Sequence, residues 1–303
     1  MTTYVSYFDK SYFPRGVALI DSLLAVAPDS RVVIWALDVE TKLGLGALYN
    51  NNVIALDFDF VDQRWPKLSK PPTERNYLES LSMRRPALLL SLMQEMMAPD
   101  ELVFYVDSDC LFFSSPKPLL DMMENASIGV SPHGFSQRHD WLVMNGVYNA
   151  GLMIIRNDAQ GRACMRDWLD DCFQWCHYPA EDNKLLNQGY LTFWPSRYER
   201  VTSLDHPGVN LAPWNYEGRR LSITGNTICI NEAPLIVYHF HGMKRRESAW
   251  ENVSSLVDRD LHRELFEHIY DPYIAQLTHG EERLINLGFD VAMPTFQKYP
   301  KKA

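Results

Sequence analysis

The chain has 303 residues, 46% of them hydrophobic and 12% aromatic, which is ample for a packed core and reads as an ordinary globular protein. Its 38 acidic and 29 basic residues leave a net charge of -9, which argues against nucleic-acid binding through a general basic field. From the N-terminus, short β-type runs alternate with helical patterns. A strand is expected over 4–8, a helix over about 14–26, strands over 32–37 and 53–58, a helix over about 82–97 and a buried strand over 102–106. Another strand follows at 151–155, a helix at 160–176 and a strand at 235–240 that ends in histidines. Alternation of this kind predicts an α/β fold, a mostly parallel central sheet with flanking helices. The pattern carries no repeat and no linker. It is read as one main domain over 1–254 and a helical extension over 255–303 packed on it, interrupted at Asp271-Pro272.

The five cysteines, Cys110, Cys164, Cys172, Cys176 and Cys229, show no C-x-x-C spacing and read as reduced thiols. No basic n-region with an apolar h-region opens the chain, and the longest aliphatic run, over 87–93, is too short to span a bilayer. The expectation is a cytoplasmic protein, one that can still touch a membrane surface. Its oligomeric state is not legible in the sequence.

In open parallel sheets, ligands collect at the carboxyl ends of strands. The strand over 102–106 runs directly into Asp107-Ser108-Asp109, with apolar residues on both sides. Acids set in a buried stretch are costly unless a cation or hydrogen bonds compensate them. A divalent ion held by such a pair stabilises charge developing on a diphosphate leaving group. The same spacing occurs at Asp57-Phe58-Asp59, but Asp62, Gln63 and Arg64 follow it, and it reads as a strand leaving the sheet into a loop.

A second cluster is His239-Phe240-His241-Gly242-Met243-Lys244-Arg245. A histidine there can reach a metal, Gly242 permits close backbone approach to phosphate, and Lys244 and Arg245 supply charge. His239 and His241 alternate along a strand and face opposite ways, so one of them should ligate. Tyr7 and Asp9, at the end of the first strand, would face a base or ribose, with Tyr12 nearby. The loop Asn210, Pro213, Trp214, Asn215 suits either stacking on a sugar or anchoring the loop itself.

With these segments in view, the sequence resembles the GT-A glycosyltransferases, in particular the retaining group containing glycogenin and the bacterial lipopolysaccharide galactosyl- and glucosyltransferases. Phe104-Tyr105-Val106-Asp107-Ser108-Asp109 is similar to the family's metal-binding turn. Tyr148-Asn149-Ala150-Gly151 resembles its Asn-Ala-Gly segment beside the donor sugar. Asp182-Asn183-Lys184-Leu185-Leu186-Asn187 resembles its Asp-Gln-x-x-Leu-Asn segment near the anomeric carbon, and the histidine cluster resembles its His-x-x-Gly-x-x-Lys segment. The chain departs from the pattern at Asn183 and Arg245, and the Pro-Trp that follows in the family is absent.

The resemblance implies a Rossmann-like GT-A fold and transfer of a sugar, with retention, from a nucleotide-diphosphate-sugar donor, UDP-sugar favoured, to a glycan or lipid-linked acceptor. It further implies Mn²⁺ (or Mg²⁺) on Asp107, Asp109 and His239, with His241 as the alternative. Donor contacts would come from Tyr7, Asp9, Arg84, Arg85, Ser108, Gly242, Lys244 and Arg245, one of the two adjacent arginines touching phosphate or ribose. Asn149, Asp182 and Asn183 would stand at the reacting sugar. Two rival readings are a catalytically silent sugar-nucleotide-binding protein and an aspartyl-phosphate-type phosphatase, whose motif would belong on the first strand.

Overall fold

A computed structural model describes residues 2–181, 185–246 and 249–289. Its centre is a seven-stranded sheet. Strands β1 (Thr2–Phe8), β2 (Arg31–Ala36) and β3 (Val53–Leu56) alternate with helices α1 (Phe13–Val26) and α2 (Val39–Leu48), and the three strands pair in parallel. The short helix α3 (Phe60–Arg64) and the long helix α4 (Tyr77–Glu95) lead into β4 (Leu102–Val106), which pairs parallel to β1. Then come β5 (Cys110–Phe112), α5 (Lys117–Met122), β6 (Ile128–Pro132), β7 (Tyr148–Arg156), α6 (Ala159–Gln174), α7 (Trp194–Arg197) and β8 (Val201–Ser203). The sheet order is β3-β2-β1-β4-β7-β6-β8. The expected parallel arrangement holds except at β7, which runs antiparallel to both neighbours.

That one reversal positions the site. Because β7 runs backwards, its first residues lie beside the last residues of β4: Val106 pairs with Leu152, and the Asp107 N–H donates to the Gly151 carbonyl at 2.8 Å. The beginning of one strand thus reaches the carboxyl edge formed by the ends of the others. The β6–β7 register shifts between Val130 and Ser131.

Helix α4 starts five residues before the expected position. Asn76 and Glu79 form a reciprocal capping box there, each side chain accepting the other's backbone N–H. Pro86 inside this helix has no N–H for the Ser82 carbonyl four residues back, and the Asn187 side chain donates to that carbonyl instead, at 2.9 Å.

The later part of the chain adds a three-stranded sheet, β9 (Leu221–Thr224), β10 (Thr227–Ile230) and β11 (Ala233–Pro234), then β12 (Val237–His239) and the hairpin β13 (Met243–Arg246) and β14 (Ala249–Asn252). Strand β12 pairs antiparallel with β5, placing His239 opposite Cys110. The helix α8 (Arg263–Leu265), a π-turn over Phe266–Tyr270 and α9 (Asp271–Asn286) follow without a gap. The interruption expected at Asp271-Pro272 is therefore this π-turn, a local widening that carries the chain into the proline without ending the helix.

Helix α9 lies against α1. Gly280 meets the Pro14 backbone, where an added Cβ would stand 3.3 Å from the carbonyl oxygen, and Arg283 pairs with Asp21 at 2.5 Å. Tyr238 and Phe240 flank His239 in the chain and turn to this side, Phe240 stacking on Tyr273 at 3.7 Å between ring centroids.

Candidate active site

Strand β4 delivers Tyr105 and, one residue past its end, Asp107 to one side, two positions apart as strand geometry requires. One oxygen of Asp107, Oδ1, accepts from the Tyr105 hydroxyl at 2.6 Å and from Arg85 Nη2 at 3.1 Å. Arg85 is buried on α4, donates to the Ala150 carbonyl at 2.7 Å and to the Tyr7 hydroxyl at 2.9 Å, and lies over the Tyr105 ring. Oδ1 is thereby fixed. The other oxygen, Oδ2, turns toward Gly151.

Gly151 marks the point where the site converges. A Cβ at this residue would stand 2.7 Å from Asp107 Oδ2, 2.7 Å from Asn149 Oδ1 and 2.8 Å from His239 Cε1. Real Cβ atoms do not approach other atoms so closely, so the absence of a side chain lets three polar groups from β4, β7 and β12 face one another.

Asp109 stands on the turn after β4, and its Oδ1 lies 3.2 Å from His239 Nε2. The other ring nitrogen of His239, Nδ1, faces Asn210 Oδ1 at 3.4 Å, which leaves Nε2 for the carboxylate side. Burial works against a charged His239 ring, but the Asp109 carboxylate together with Asp107 outweighs it and raises the pKa; the pairing with His239 overcomes burial at Asp109 and holds that carboxyl well below its usual range. Asp109, Cys110 and His239 bring a carboxylate, a thiol and an imidazole within 4.8 Å of one another. Burial, followed by the two aspartates, pushes the Cys110 thiol well up, so it stands as a neutral SH.

Of the two histidines, His239 meets Asp109, while His241 is exposed and lies edge-on to Trp214. Trp214 is buried, donates through Nε1 to the His133 carbonyl at 3.1 Å and touches the His239 ring as well. Its loop therefore braces the histidines from behind.

Other expected positions fall around this centre. Tyr7 reaches it through Arg85, and Ser108 is buried within the turn. Asp9 accepts from the Ser11 backbone at 2.9 Å and from the Tyr77 hydroxyl at 3.1 Å, tying the end of β1 to the start of α4. Arg84 leaves the site and pairs with Asp62 at 2.6 Å, so of the two adjacent arginines only Arg85 comes to Asp107. Gly242 has φ +87°, and an added Cβ would stand 2.8 Å from the Ser254 side chain. Lys244 and Arg245 lie on the hairpin, where Arg245 pairs with Glu281 of α9 at 2.6 Å. Asp182 and Asn183 lie outside the described residues.

Three residues without a place in the sequence reading enter here. Gln188 bonds to Asn149 and Ala150, His133 faces Asn149, and the buried Arg15 donates to the Met243 carbonyl at 2.6 Å between the Tyr12 and Trp250 rings, holding the hairpin. Gln188 directly follows Asn187, the last residue of a recognised segment, which was its one local signal.

Residues 28–203 match the family described as nucleotide-diphospho-sugar transferase. Among relatives, YfnF of Bacillus subtilis (strain 168), itself uncharacterized, is 28% identical over 257 residues, covering 80% of this chain and 82% of that protein. Among solved structures, the galactosyltransferase LgtC in complex with donor and acceptor sugar analogs superposes with a TM-score of 0.53 at 17% identity, covering 87% of this chain and 94% of that one. The glycosyltransferase GlyE of Streptococcus pneumoniae TIGR4 gives 0.51 at 13% identity, with 98% of this chain matched to 65% of GlyE. These likenesses give the GT-A fold, and the match over residues 28–203 gives the family: the chain belongs to the nucleotide-diphospho-sugar transferases and is a glycosyltransferase.

Proposed function

We propose that the chain transfers a sugar from a nucleotide-diphosphate-sugar, UDP-sugar favoured, in a metal-dependent reaction at the edge occupied by Asp107, Asp109 and His239. The observation that carries this reading is the convergence at Gly151, where Asp107 Oδ2 and His239 face the same point while Asp109 lies against the His239 ring. Two carboxylates and one imidazole suit Mn²⁺, and Mg²⁺ as the harder alternative. A divalent ion bound there supplies charge stabilisation for the departing diphosphate. Arg85 and Tyr105 hold Asp107, Asn210 orients His239, and Lys244 offers charge to phosphate oxygens.

Transfer with retention to a glycan or lipid-linked acceptor is part of the same proposal, supported by the sequence resemblance. In that mechanism the leaving diphosphate takes the acceptor proton, with Asp182 and Asn183 on the sugar side. NMR of the product's anomeric centre is the check on stereochemistry, an inverted product overturning retention. No helix among the described residues is long and apolar enough to cross a membrane.

The metal reading is tested by melting temperature with a nucleoside diphosphate, with Mn²⁺ and with both. A shift from the pair that exceeds the sum of the two separate shifts supports a shared site, and merely additive shifts count against it.

A further inference from the structure

Two side-chain amides beside this site can each adopt one orientation only. The Ala150 N–H approaches the Gln188 side chain at 3.1 Å, and a backbone N–H can only donate, so the atom it meets is the amide oxygen. The Asn149 atom 3.2 Å from that same oxygen must be a donor, its Nδ2. Its Oδ1 then receives the Gly151 N–H at 2.9 Å. One amide hydrogen of Asn149 is now assigned to Gln188. The other faces His133 Nε2 at 3.1 Å, which must be the unprotonated ring nitrogen. His133 is buried, and burial outweighs the Gly146 and Val147 backbone contacts that favour a charged ring and pushes its pKa down to about 3, so the ring is neutral at working pH.

We infer that His133 is a positioning residue for sugar transfer: its Nε2 takes up the last amide hydrogen of Asn149, so that Asn149 presents a carbonyl oxygen and no N–H toward Asp107 and His239. The inference rests on the proposed role of that site. It has a chemical consequence, for a donor-sugar group that meets Asn149 must itself be a hydrogen-bond donor, a hydroxyl or an amide N–H. The backbone of His133 has a separate task, its carbonyl accepting from Trp214 Nε1 at 3.1 Å and Asn215 Nδ2 at 2.7 Å. Side-chain substitution leaves those two bonds available; it also removes the ring's stacking on Phe135 and its edge contact with Trp214, which His133→Leu and His133→Gln lose alike, so the difference between the two variants reads the contact to Asn149.

The test is a double-mutant cycle with the tautomer read independently. His133→Leu is expected to lower kcat/KM for the donor about 10- to 100-fold, the scale of lost orienting contacts. His133→Gln, which keeps an acceptor, should recover most of that activity, and in an Asn149→Ala background His133→Leu should cost nothing more. Equal losses in both backgrounds, or no rescue by Gln, overturn the inference. Nitrogen-15 NMR of the wild-type imidazole needs no variant to fold: an unprotonated Nε2 at neutral pH supports the assignment, and a protonated Nε2 removes it. Failure of the metal reading would show differently, as full activity of Asp109→Ala, with the His133 tautomer unchanged.

Discussion

Asp57-Phe58-Asp59 and Asp107-Ser108-Asp109 share a spacing and a position after an apolar strand, yet they differ in what the rest of the chain brings to them. The first follows β3, at the edge of the sheet. Asp57 pairs with Lys42 at 2.5 Å, with both side chains well exposed, and Asp59 accepts from Gln63 four residues on. The partners of this stretch come from the adjoining elements alone, Lys42 on α2, Gln63 on α3 and, at the Phe58 carbonyl, Trp35 of β2. The second follows β4, which has β1 on one side and β7 on the other, and its partners come from far along the chain: Arg85 from α4, Gly151 from β7 and His239 from β12. A carboxylate pair acquires chemistry from long-range neighbours that orient it, and tripeptide spacing alone supplies none.

The sharpest way to break this comparison is to remove one acid from each pair. Asp109→Ala should lower transfer by more than about a thousandfold, several kcal/mol of transition-state stabilisation, without unfolding the protein. Donor turnover, read beside a melting curve, checks it, and normal turnover by the folded variant would sink the metal site. Gly151→Ala tests the convergence without touching a carboxylate. Its new Cβ would press on Asp107, Asn149 and His239 together, so activity should fall about a hundredfold, on the scale of an approximately 1 Å misplacement. Wild-type kinetics would mean that the three groups need not share that point.

A smaller effect is expected from ligands alone. With Mn²⁺ saturating and a nucleoside diphosphate near a hundred times its dissociation constant for the Mn²⁺-loaded protein, the folded state should gain about 2.7 kcal/mol beyond Mn²⁺ alone, visible as a rise in Tm that Asp109→Ala abolishes and Asp57→Ala retains. Smallest of all, Asp57→Ala and Asp59→Ala should shift stability by no more than about 0.5 kcal/mol and leave turnover unchanged, since they remove solvent-exposed contacts. A turnover defect there would show that the edge pair has a role beyond those contacts.

How much of this could be read in advance follows the same division. Strand β4, with its apolar run and terminal acids, stands at the expected 102–106, because a buried strand writes itself into consecutive residues. The parallel order of β1, β2 and β3 follows from strand-helix alternation in the same way. The reversal of β7 does not, since strand direction depends on a connection whose path no local pattern specifies. His133 escaped notice because β6, with Gly129 and Pro132 in a five-residue strand, is too short and irregular for periodicity to register. Cys110 reads in the sequence only as one of five reduced thiols, and the antiparallel register with β12 is what places it opposite His239. Arg84 and Arg85 are neighbours in sequence, but only the helix's angle on the sheet decides which one reaches Asp107.

The connection between β6 and β7 has a consequence for how such a protein diversifies. Residues 133–147 leave from Pro132 and return at Tyr148, two residues that face each other in the ladder, with Ser131 opposite Asn149 beside them. Lengthening a loop between fixed ends costs little, about 0.6 kcal/mol for each doubling. Insertions or deletions in the outer part of this excursion can therefore accumulate over generations while Asn149 and Gly151 stay in register at its base. Lineages descended from one ancestor can remodel the rim above the sheet and inherit the chemistry below it unchanged.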